Sequence, residues 1–236
     1  MVILRRSGPM GEVSHRVALI RKKVRSAALD VRYRGLLNGS IPTRYAHLGA
    51  MEVANTDYDA MGAIFAGVIR ASDVLVDVGC GKGRVINWWL SRGYTNEIIG
   101  LELDEEVAEH TRRRLRRYRQ VSIVSGDAIE TLPVQGTLFY LFNPFREPNF
   151  EAFSDRLAAL HLSDPGRQRR VIYYHPVHLL VFEHDPRWEV VFRKPAPTLW
   201  SNLDVAGIRP VSTDIAAAST EGCHRPRSTR LSGSSR

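Results

Sequence analysis

The segment Val74–Arg84, which reads Val-Leu-Val-Asp-Val-Gly-Cys-Gly-Lys-Gly-Arg, constrains the fold of this chain more than any other part of it. Its β-branched residues at alternate positions predict a strand that is covered on both faces. The glycines Gly79, Gly81 and Gly83 permit positive φ and remove the Cβ atoms that would keep a ligand away from the backbone. The helix that follows offers unpaired N–H groups at its N-terminus. The segment therefore predicts a strand, a turn and a helix that together bind a nucleotide-like cofactor.

The spacing of the glycines narrows the choice of cofactor. A phosphate-binding loop needs G-x-x-x-x-G-K-[ST], whereas here Lys82 lies inside the turn and Arg84 follows Gly83. Hydrolysis of ATP or GTP is therefore not predicted. The observed G-x-G-x-G spacing also fits the dinucleotide fingerprint poorly. A nicotinamide-dependent oxidoreductase remains an alternative that this spacing disfavours.

Strand and helix patterns alternate through the middle of the chain, which predicts a parallel sheet with right-handed crossovers. The last two strands have no helix between them, so we expect them to pair antiparallel. The predicted strands are Val74–Val78, Glu97–Leu103, Val121–Val124, Thr137–Phe142, Arg170–Tyr174, Trp188–Phe192 and Leu199–Ala206. The predicted helices are Val13–Leu29, Ala60–Ile69, Arg84–Ser91, Glu105–Tyr118 and Asn149–His161, with short pieces near Ala128–Leu132 and His178–Phe182.

Composition divides the 236 residues into three parts. Residues 1–40 form a basic leader that is partly helical, residues 41–209 form a cofactor-binding domain, and residues 210–236 form a basic Ser/Arg-rich tail that is predicted to be disordered. The net charge of +8 suits an acidic partner that contacts the leader or the tail, although a solvated basic face is the favoured interpretation. The arginines between Arg112 and Arg119, together with Lys82 and Arg84, are likewise expected to be solvated. The sequence does not indicate an oligomeric state.

The cysteines and the hydropathy bear on localisation. Cys80 lies in the glycine turn and Cys223 in the polar tail, and neither belongs to a metal or disulfide pattern. No apolar run is long enough to span a bilayer, and no secretory signal is recognisable. We therefore expect a cytoplasmic protein that makes no membrane contact.

The run Asp77-Val-Gly-Cys-Gly-Lys-Gly resembles motif I of the class I S-adenosylmethionine-dependent methyltransferases. The resemblance continues in order from about Thr56 to Ala206. It implies a doubly wound, mostly parallel α/β sheet of seven strands in the order 3-2-1-4-5-7-6, with an antiparallel last strand. It also implies S-adenosyl-L-methionine as the cofactor.

The resemblance assigns the cofactor contacts residue by residue. The turn residues would pass beneath the methionine portion, and the acid at the end of the second strand would accept hydrogen bonds from both ribose hydroxyls. A Gly-Asp-Ala element after the third strand would bind the adenine, and a segment upstream of the first strand would close over the cofactor. The implied cofactor residues are Tyr58, Asp77, Gly79, Cys80, Gly81, Gly83, Glu102, Asp127, Ala128 and Asn143.

Two residues at later strand ends are catalytic candidates. Asn143 opens an Asn-Pro-Phe segment at the position of motif IV, beside the transferable methyl group. The segment lacks the second proline of the Asn-Pro-Pro-aromatic motif found in amino-methylating relatives, and it is most similar to small, uncharacterised members of the family. His175 follows the fifth strand and is a candidate general base, although a structural role is an open alternative. No metal site is predicted.

The sequence therefore predicts methyl transfer from S-adenosylmethionine to an unidentified acceptor, a small molecule or a protein side chain. The Asn143 segment favours a nitrogen atom as the site of methylation. Two alternatives stay open: a nucleic-acid methyltransferase, and a basic nucleic-acid-binding protein that retains the fold without catalysis.

Overall fold

The computed structural model describes residues 9–37, 39, 44–45, 55–198 and 201–211. Its centre is one seven-stranded sheet in the order β3-β2-β1-β4-β5-β7-β6. Strands β1 to β5 pair in parallel, and β7 runs antiparallel to both of its neighbours. The predicted sheet class, strand order and antiparallel last strand are confirmed. The strands are β1 Leu75–Val78, β2 Ile98–Glu102, β3 Val121–Ser125, β4 Leu138–Leu141, β5 Arg170–Tyr174, β6 Trp188–Pro195 and β7 Asp204–Pro210.

Helices cover both faces of the sheet, and this explains the composition of the central strands. Every residue of β1, β2 and β4 is buried, because apolar clusters lie on both sides of these strands. The edge strand β6 instead alternates between buried or half-buried and exposed positions. The helices are α1 Pro9–Arg32, α2 Tyr58–Phe65, α3 Arg84–Ser91, α4 Glu105–Leu115, α5 Glu147–Ser163 and α6 Leu180–Glu183.

The start of α2 differs from the expected helix over Ala60–Ile69. Asp57 is the N-cap, and its carboxylate accepts a hydrogen bond from the backbone N–H of Asp59. Asn55 does not cap this helix, and its amide donates to the carbonyls of Leu37 and Gly39. The helix consequently begins at Tyr58 and ends at Phe65.

Two further elements differ from the sequence prediction. The last strand begins at Asp204, later than predicted, and the N–H of Thr198 donates to the carbonyl of Ser201, while residues 199–200 lie outside the described residues. The predicted short helix near Ala128–Leu132 is a turn. Pro210, where the tail was expected to begin, is the last residue of β7, and residues 212–236 lie outside the described residues.

The described part of the basic leader packs on the domain. Tyr33 and Leu37 are buried, and the carboxylate of Asp30 is fully buried. Lys22 is buried as well and pairs with the carboxylates of Asp57 and Asp59. The expectation of a solvated basic face is therefore wrong for Lys22, because the acids at the start of α2 neutralise it. No helix in the described ranges combines the length and the apolar character that crossing a membrane requires.

Candidate functional site

The glycine turn after β1 adopts left-handed backbone at three alternate positions. The φ angles are 73° at Gly79, 51° at Gly81 and 71° at Gly83, which explains why glycine occupies each of them. The N–H of Cys80 donates to the carbonyl of Leu101 at 2.8 Å and ties the turn to the end of β2. The turn therefore lies at the carboxyl edge of the sheet, where ligands of open α/β sheets bind.

Gly79 brings the turn against the segment that follows β4. A Cβ atom on Gly79 would lie 3.1 Å from the Cβ of Pro144, so a side chain there would displace this neighbour. The predicted cofactor turn and the Asn143–Phe145 segment consequently adjoin each other in the fold.

At two of the predicted cofactor residues in the turn, the side-chain direction faces packed protein. A Cβ on Gly83 would lie 3.0 Å from atoms of Thr111 and Arg114, so this glycine allows α4 to approach the turn. The thiol of Cys80 is buried against Gly100, and burial raises its pKa well above the usual value. The side-chain direction of Gly83 and the thiol of Cys80 point into packed protein, and a cofactor contact through the backbone of either residue stays a prediction.

Glu102 ends β2 beside the turn and is 5% exposed. Its Oε2 accepts the N–H of Gly81 at 2.8 Å, and its Oε1 accepts the N–H of Asp104 at 2.9 Å. Burial raises the pKa of Glu102, while these backbone hydrogen bonds oppose that shift. A carboxylate has about four lone-pair positions, so these two bonds leave acceptor capacity for the hydroxyls of a ligand.

Asp77 lies in β1 and is 3% exposed. Its Oδ2 is buried and makes no hydrogen bond within the described chain. Burial, with a smaller contribution from the negative charge of Glu102, raises the pKa of Asp77 to about 8. A buried polar atom without a partner is costly unless something completes it. The unpartnered Oδ2 therefore makes Asp77 a candidate ligand-binding residue.

Asp127 and Ala128 follow β3. The carboxylate of Asp127 accepts the N–H of Ile129 at 2.8 Å and caps the turn there, while Ala128 is buried in the core. Capping was the structural alternative for Asp127. This capping hydrogen bond uses only part of the acceptor capacity of the Asp127 carboxylate, so adenine binding by Asp127 stays a prediction.

Tyr58 lies in a polar network beside the turn, and its predicted role in closing over the cofactor stays a prediction. Its hydroxyl donates to Asp30 at 2.7 Å, and its ring lies 4.9 Å below the guanidinium of Arg84. Asp30 also accepts hydrogen bonds from Arg84 at 3.0 Å and from the N–H of Leu37 at 3.2 Å. The hydroxyl of Tyr58 is thus committed to α1.

Arg114 extends this network, and the sequence interpretation missed it. Only 6% exposed, it donates to the carbonyls of Tyr33 and Lys82 and to Oδ1 of Asn87, at 2.6 to 2.9 Å. The expectation of solvated charges is therefore wrong for Arg114 and for Arg84, which pairs with Asp30. One signal was present in the sequence, since Asp30 is the single acid between Glu12 and Glu52. An isolated carboxylate in a basic helix invites an internal arginine partner.

The structure brings the two catalytic candidates into direct contact. Nδ2 of Asn143, after β4, lies 3.1 Å from Nδ1 of His175, after β5. Both residues have left-handed backbone, with φ of 44° and 52°. Tyr173, which the sequence interpretation did not single out, donates from its hydroxyl to Oδ1 of Asn143 at 2.6 Å. The described ranges hold no cluster of side chains suited to a metal ion.

Comparisons with known proteins agree with this fold. A family model described as a methyltransferase domain matches residues 75–162. The mitomycin 7-O-methyltransferase MmcR is 17% identical over 65% of this chain and 53% of its own, with a TM-score of 0.50. An RNA methyltransferase from Salinibacter ruber, in complex with S-adenosyl-L-homocysteine, is 17% identical over 66% of this chain and 94% of its own, with a TM-score of 0.48. The B. subtilis m1A22 tRNA methyltransferase TrmK is 13% identical over 70% of each chain, with a TM-score of 0.48. A comparison with curated protein sequences gives no match.

The domain match begins at the first residue of β1 and includes the glycine turn and Glu102. The seven strands follow the order that the class I resemblance implies. The chain therefore contains a methyltransferase domain on a sheet with the class I strand order, and this supports an S-adenosylmethionine-dependent methyltransferase enzyme.

Proposed function

We propose that this enzyme methylates a nitrogen atom of an acceptor that binds at the carboxyl ends of β4 and β5. The observation that carries the proposal is the contact between Asn143 and His175 at those two strand ends. Because Gly79 adjoins Pro144, this pair lies close to the turn that would hold the cofactor. Donor and acceptor sites would then share one edge of the sheet.

The residues that would hold S-adenosylmethionine fit that group. Asp77 offers a buried carboxyl oxygen without a partner, and Glu102 keeps acceptor capacity for a diol. Gly79 and Gly81 expose backbone without side chains. Asp127 would accept from the adenine amino group. When bound, the cofactor would supply an electrophilic methyl group: the nitrogen lone pair would form the new N–C bond, the C–S electron pair would stay on sulfur, and any proton released would go to water.

The chain's own residues would serve mainly to position the acceptor. The polar side chains at the ends of β4 and β5 include the neutral amide of Asn143 and the imidazole of His175. The amide can orient a nitrogen nucleophile whose lone pair attacks without prior deprotonation, but it cannot remove a proton from a hydroxyl group. Asn143 therefore supports nitrogen as the acceptor atom, while His175 could act either as a hydrogen-bond donor or as a base.

A second candidate acceptor is a nucleic acid, and the net charge of +8 favours it. Exposed arginines on α4, including Arg113, would supply phosphate contacts. We therefore include transfer RNA in the acceptor search beside amines, N-heterocycles and peptides.

The test combines calorimetry with methyl transfer. We expect S-adenosylhomocysteine to bind, and Glu102→Gln to weaken it roughly ten- to hundredfold, because the amide places a donor where a carboxylate accepts hydrogen bonds. Glu105→Gln is the matched control, since Glu105 is exposed in the first turn of α4. Transfer of a tritiated methyl group to the four acceptor pools should label a nitrogen. Absence of cofactor binding, or a product methylated only on oxygen or carbon, contradicts the proposal.

A further inference from the structure

The hydrogen bonds at the ends of β4 and β5 form a directed chain that starts at a backbone donor. The N–H of His178 donates to the hydroxyl oxygen of Tyr173 at 3.2 Å. Tyr173 is fully buried, and burial raises the pKa of its hydroxyl, so the proton stays in place. A hydroxyl that accepts from one side must place its own proton on another acceptor. The atom of Asn143 that lies 2.6 Å away is that acceptor.

This requirement determines the orientation of the Asn143 amide. With Oδ1 toward Tyr173, the hydroxyl proton has a partner and Nδ2 faces His175. The inverted amide would set its N–H group against the hydroxyl oxygen and would leave the buried hydroxyl proton unpaired, which costs free energy. The orientation with all groups paired is the one that the structure contains.

The orientation of Asn143 in turn determines the tautomer of His175. Nδ2 carries two protons and has no acceptor capacity, so Nδ1 of His175, 3.1 Å away, has to accept. The neutral imidazole then carries its proton on Nε2. Nε2 makes no hydrogen bond to the described part of the chain, and the ring is half-buried.

The backbone supports a fixed arrangement. Asn143 and His175 both hold positive φ, a conformation that costs non-glycine residues free energy and persists only where the surroundings impose it. The N–H of His175 donates to the carbonyl of Asp204, and its carbonyl accepts the N–H of Val177, both at 2.8 Å. The imidazole is therefore anchored from its backbone and from Nδ1.

We infer that His175 donates a hydrogen bond from Nε2 to the methyl acceptor, and that this enzyme selects acceptors with a carbonyl oxygen or an unprotonated ring nitrogen beside the nitrogen to be methylated. The inference rests on the proposed function and replaces the expected general-base role of His175. Asn143 becomes a positioning residue, because its Oδ1 already accepts from Tyr173 and one N–H serves His175. Amidines and N-heterocycles, the nucleobases among them, have the required pair of groups.

The tautomer can be measured without any acceptor. Nitrogen-15 correlation spectra recorded at about pH 8.5, where an ordinary histidine is neutral, distinguish protonated from unprotonated ring nitrogens. His175→Gln assigns the His175 signals among the eight histidines. We expect a protonated Nε2 and an unprotonated Nδ1. Tyr173→Phe should yield a mixture of tautomers, because the amide is then free to invert, whereas Tyr94→Phe, remote from His175, should not. A proton on Nδ1 in the unaltered protein overturns the inference.

Kinetics with an acceptor from the labelling experiment distinguish a hydrogen-bond donor role of His175 from a general-base role. Glutamine keeps an N–H group but cannot take up a proton, whereas leucine has neither ability. For a donor, kcat/KM of His175→Gln should exceed that of His175→Leu by roughly tenfold. Equal losses of about 10²- to 10⁴-fold in both variants would indicate a general base and overturn the inference. If S-adenosylhomocysteine does not bind at all, the proposed function fails, while the spectra still report the tautomer.

Discussion

Asp77 and Glu102 are two acids at one end of neighbouring strands, and their surroundings treat them differently. Glu102 receives two backbone hydrogen bonds, whereas Oδ2 of Asp77 receives none. Burial, with a smaller contribution from the charge of Glu102, raises the pKa of Asp77 to about 8, so the protonated form dominates near neutral pH. Asp77 is then able to donate a hydrogen bond to a cofactor as well as to accept one.

This pKa shift predicts a pH dependence of stability. Between the unfolded value near ~4 and the folded value of about 8, the folded protein holds a proton that the unfolded chain releases. The contribution of Asp77 to the free energy of unfolding is therefore full below about pH 4. It decreases as the pH rises toward 8, by at most ~1.4 kcal/mol per pH unit. Asp77→Asn is neutral throughout and lacks this contribution.

The measurement is urea unfolding of both proteins at several pH values between about 5 and 8. The free energy of unfolding of the unaltered protein should decrease relative to that of Asp77→Asn as the pH rises. Parallel curves for the two proteins would show that the pKa of Asp77 is ordinary.

At the scale of elements, the polar network beside the glycine turn joins four helices. Asp30 of α1, Tyr58 of α2, Arg84 of α3 and Arg114 of α4 converge there. Arg114 also binds the carbonyl of Lys82, which lies within the turn itself. The network therefore holds the turn in place through the carbonyl of Lys82.

Removing Arg114 should destabilise the protein. Arg114→Met removes the donor that serves the carbonyls of Tyr33 and Lys82 and Oδ1 of Asn87, and we expect a loss of roughly 3 kcal/mol in the free energy of unfolding. Arg113→Met is the matched control on the same helix, because that side chain is 69% exposed and makes only a long contact with Glu109. The control should change stability by less than about 0.5 kcal/mol. Similar urea midpoints for both variants would contradict the structural role of Arg114.

At the scale of the whole molecule, cofactor binding should raise thermal stability. Saturation at about a hundred times Kd stabilises a folded protein by ~2.7 kcal/mol, which corresponds to a rise in Tm of roughly 5 to 10 °C for a chain of this size. S-adenosylhomocysteine should produce this rise in a thermal melt, and NADH should not. A rise with NADH alone would support the oxidoreductase alternative instead.

The strands could be predicted from the sequence because each has a recognisable local pattern. Buried strands such as β1 and β4 are short apolar runs, and the carboxyl ends of parallel strands meet at one edge. The position of Glu102 at the end of β2, beside the turn, follows from the same logic. The bounds of α3 and β5 were predicted as they are, whereas β7 begins at Asp204, later than predicted.

The sequence by itself determined the glycine turn and the strand ends at which Asn143 and His175 lie, because these depend on periodicity and on local backbone requirements, while the order of the strands was what the family resemblance implied. Only the tertiary structure decided which charges are buried and which side chains meet. Gly83 allows α4 to approach the turn, and the hydroxyl of Tyr58 donates to Asp30 of α1. Asn143 contacts His175 although the two residues lie 32 positions apart in the chain. The physical reason is that burial and hydrogen-bond direction depend on neighbours that are distant in sequence, and no local pattern encodes them.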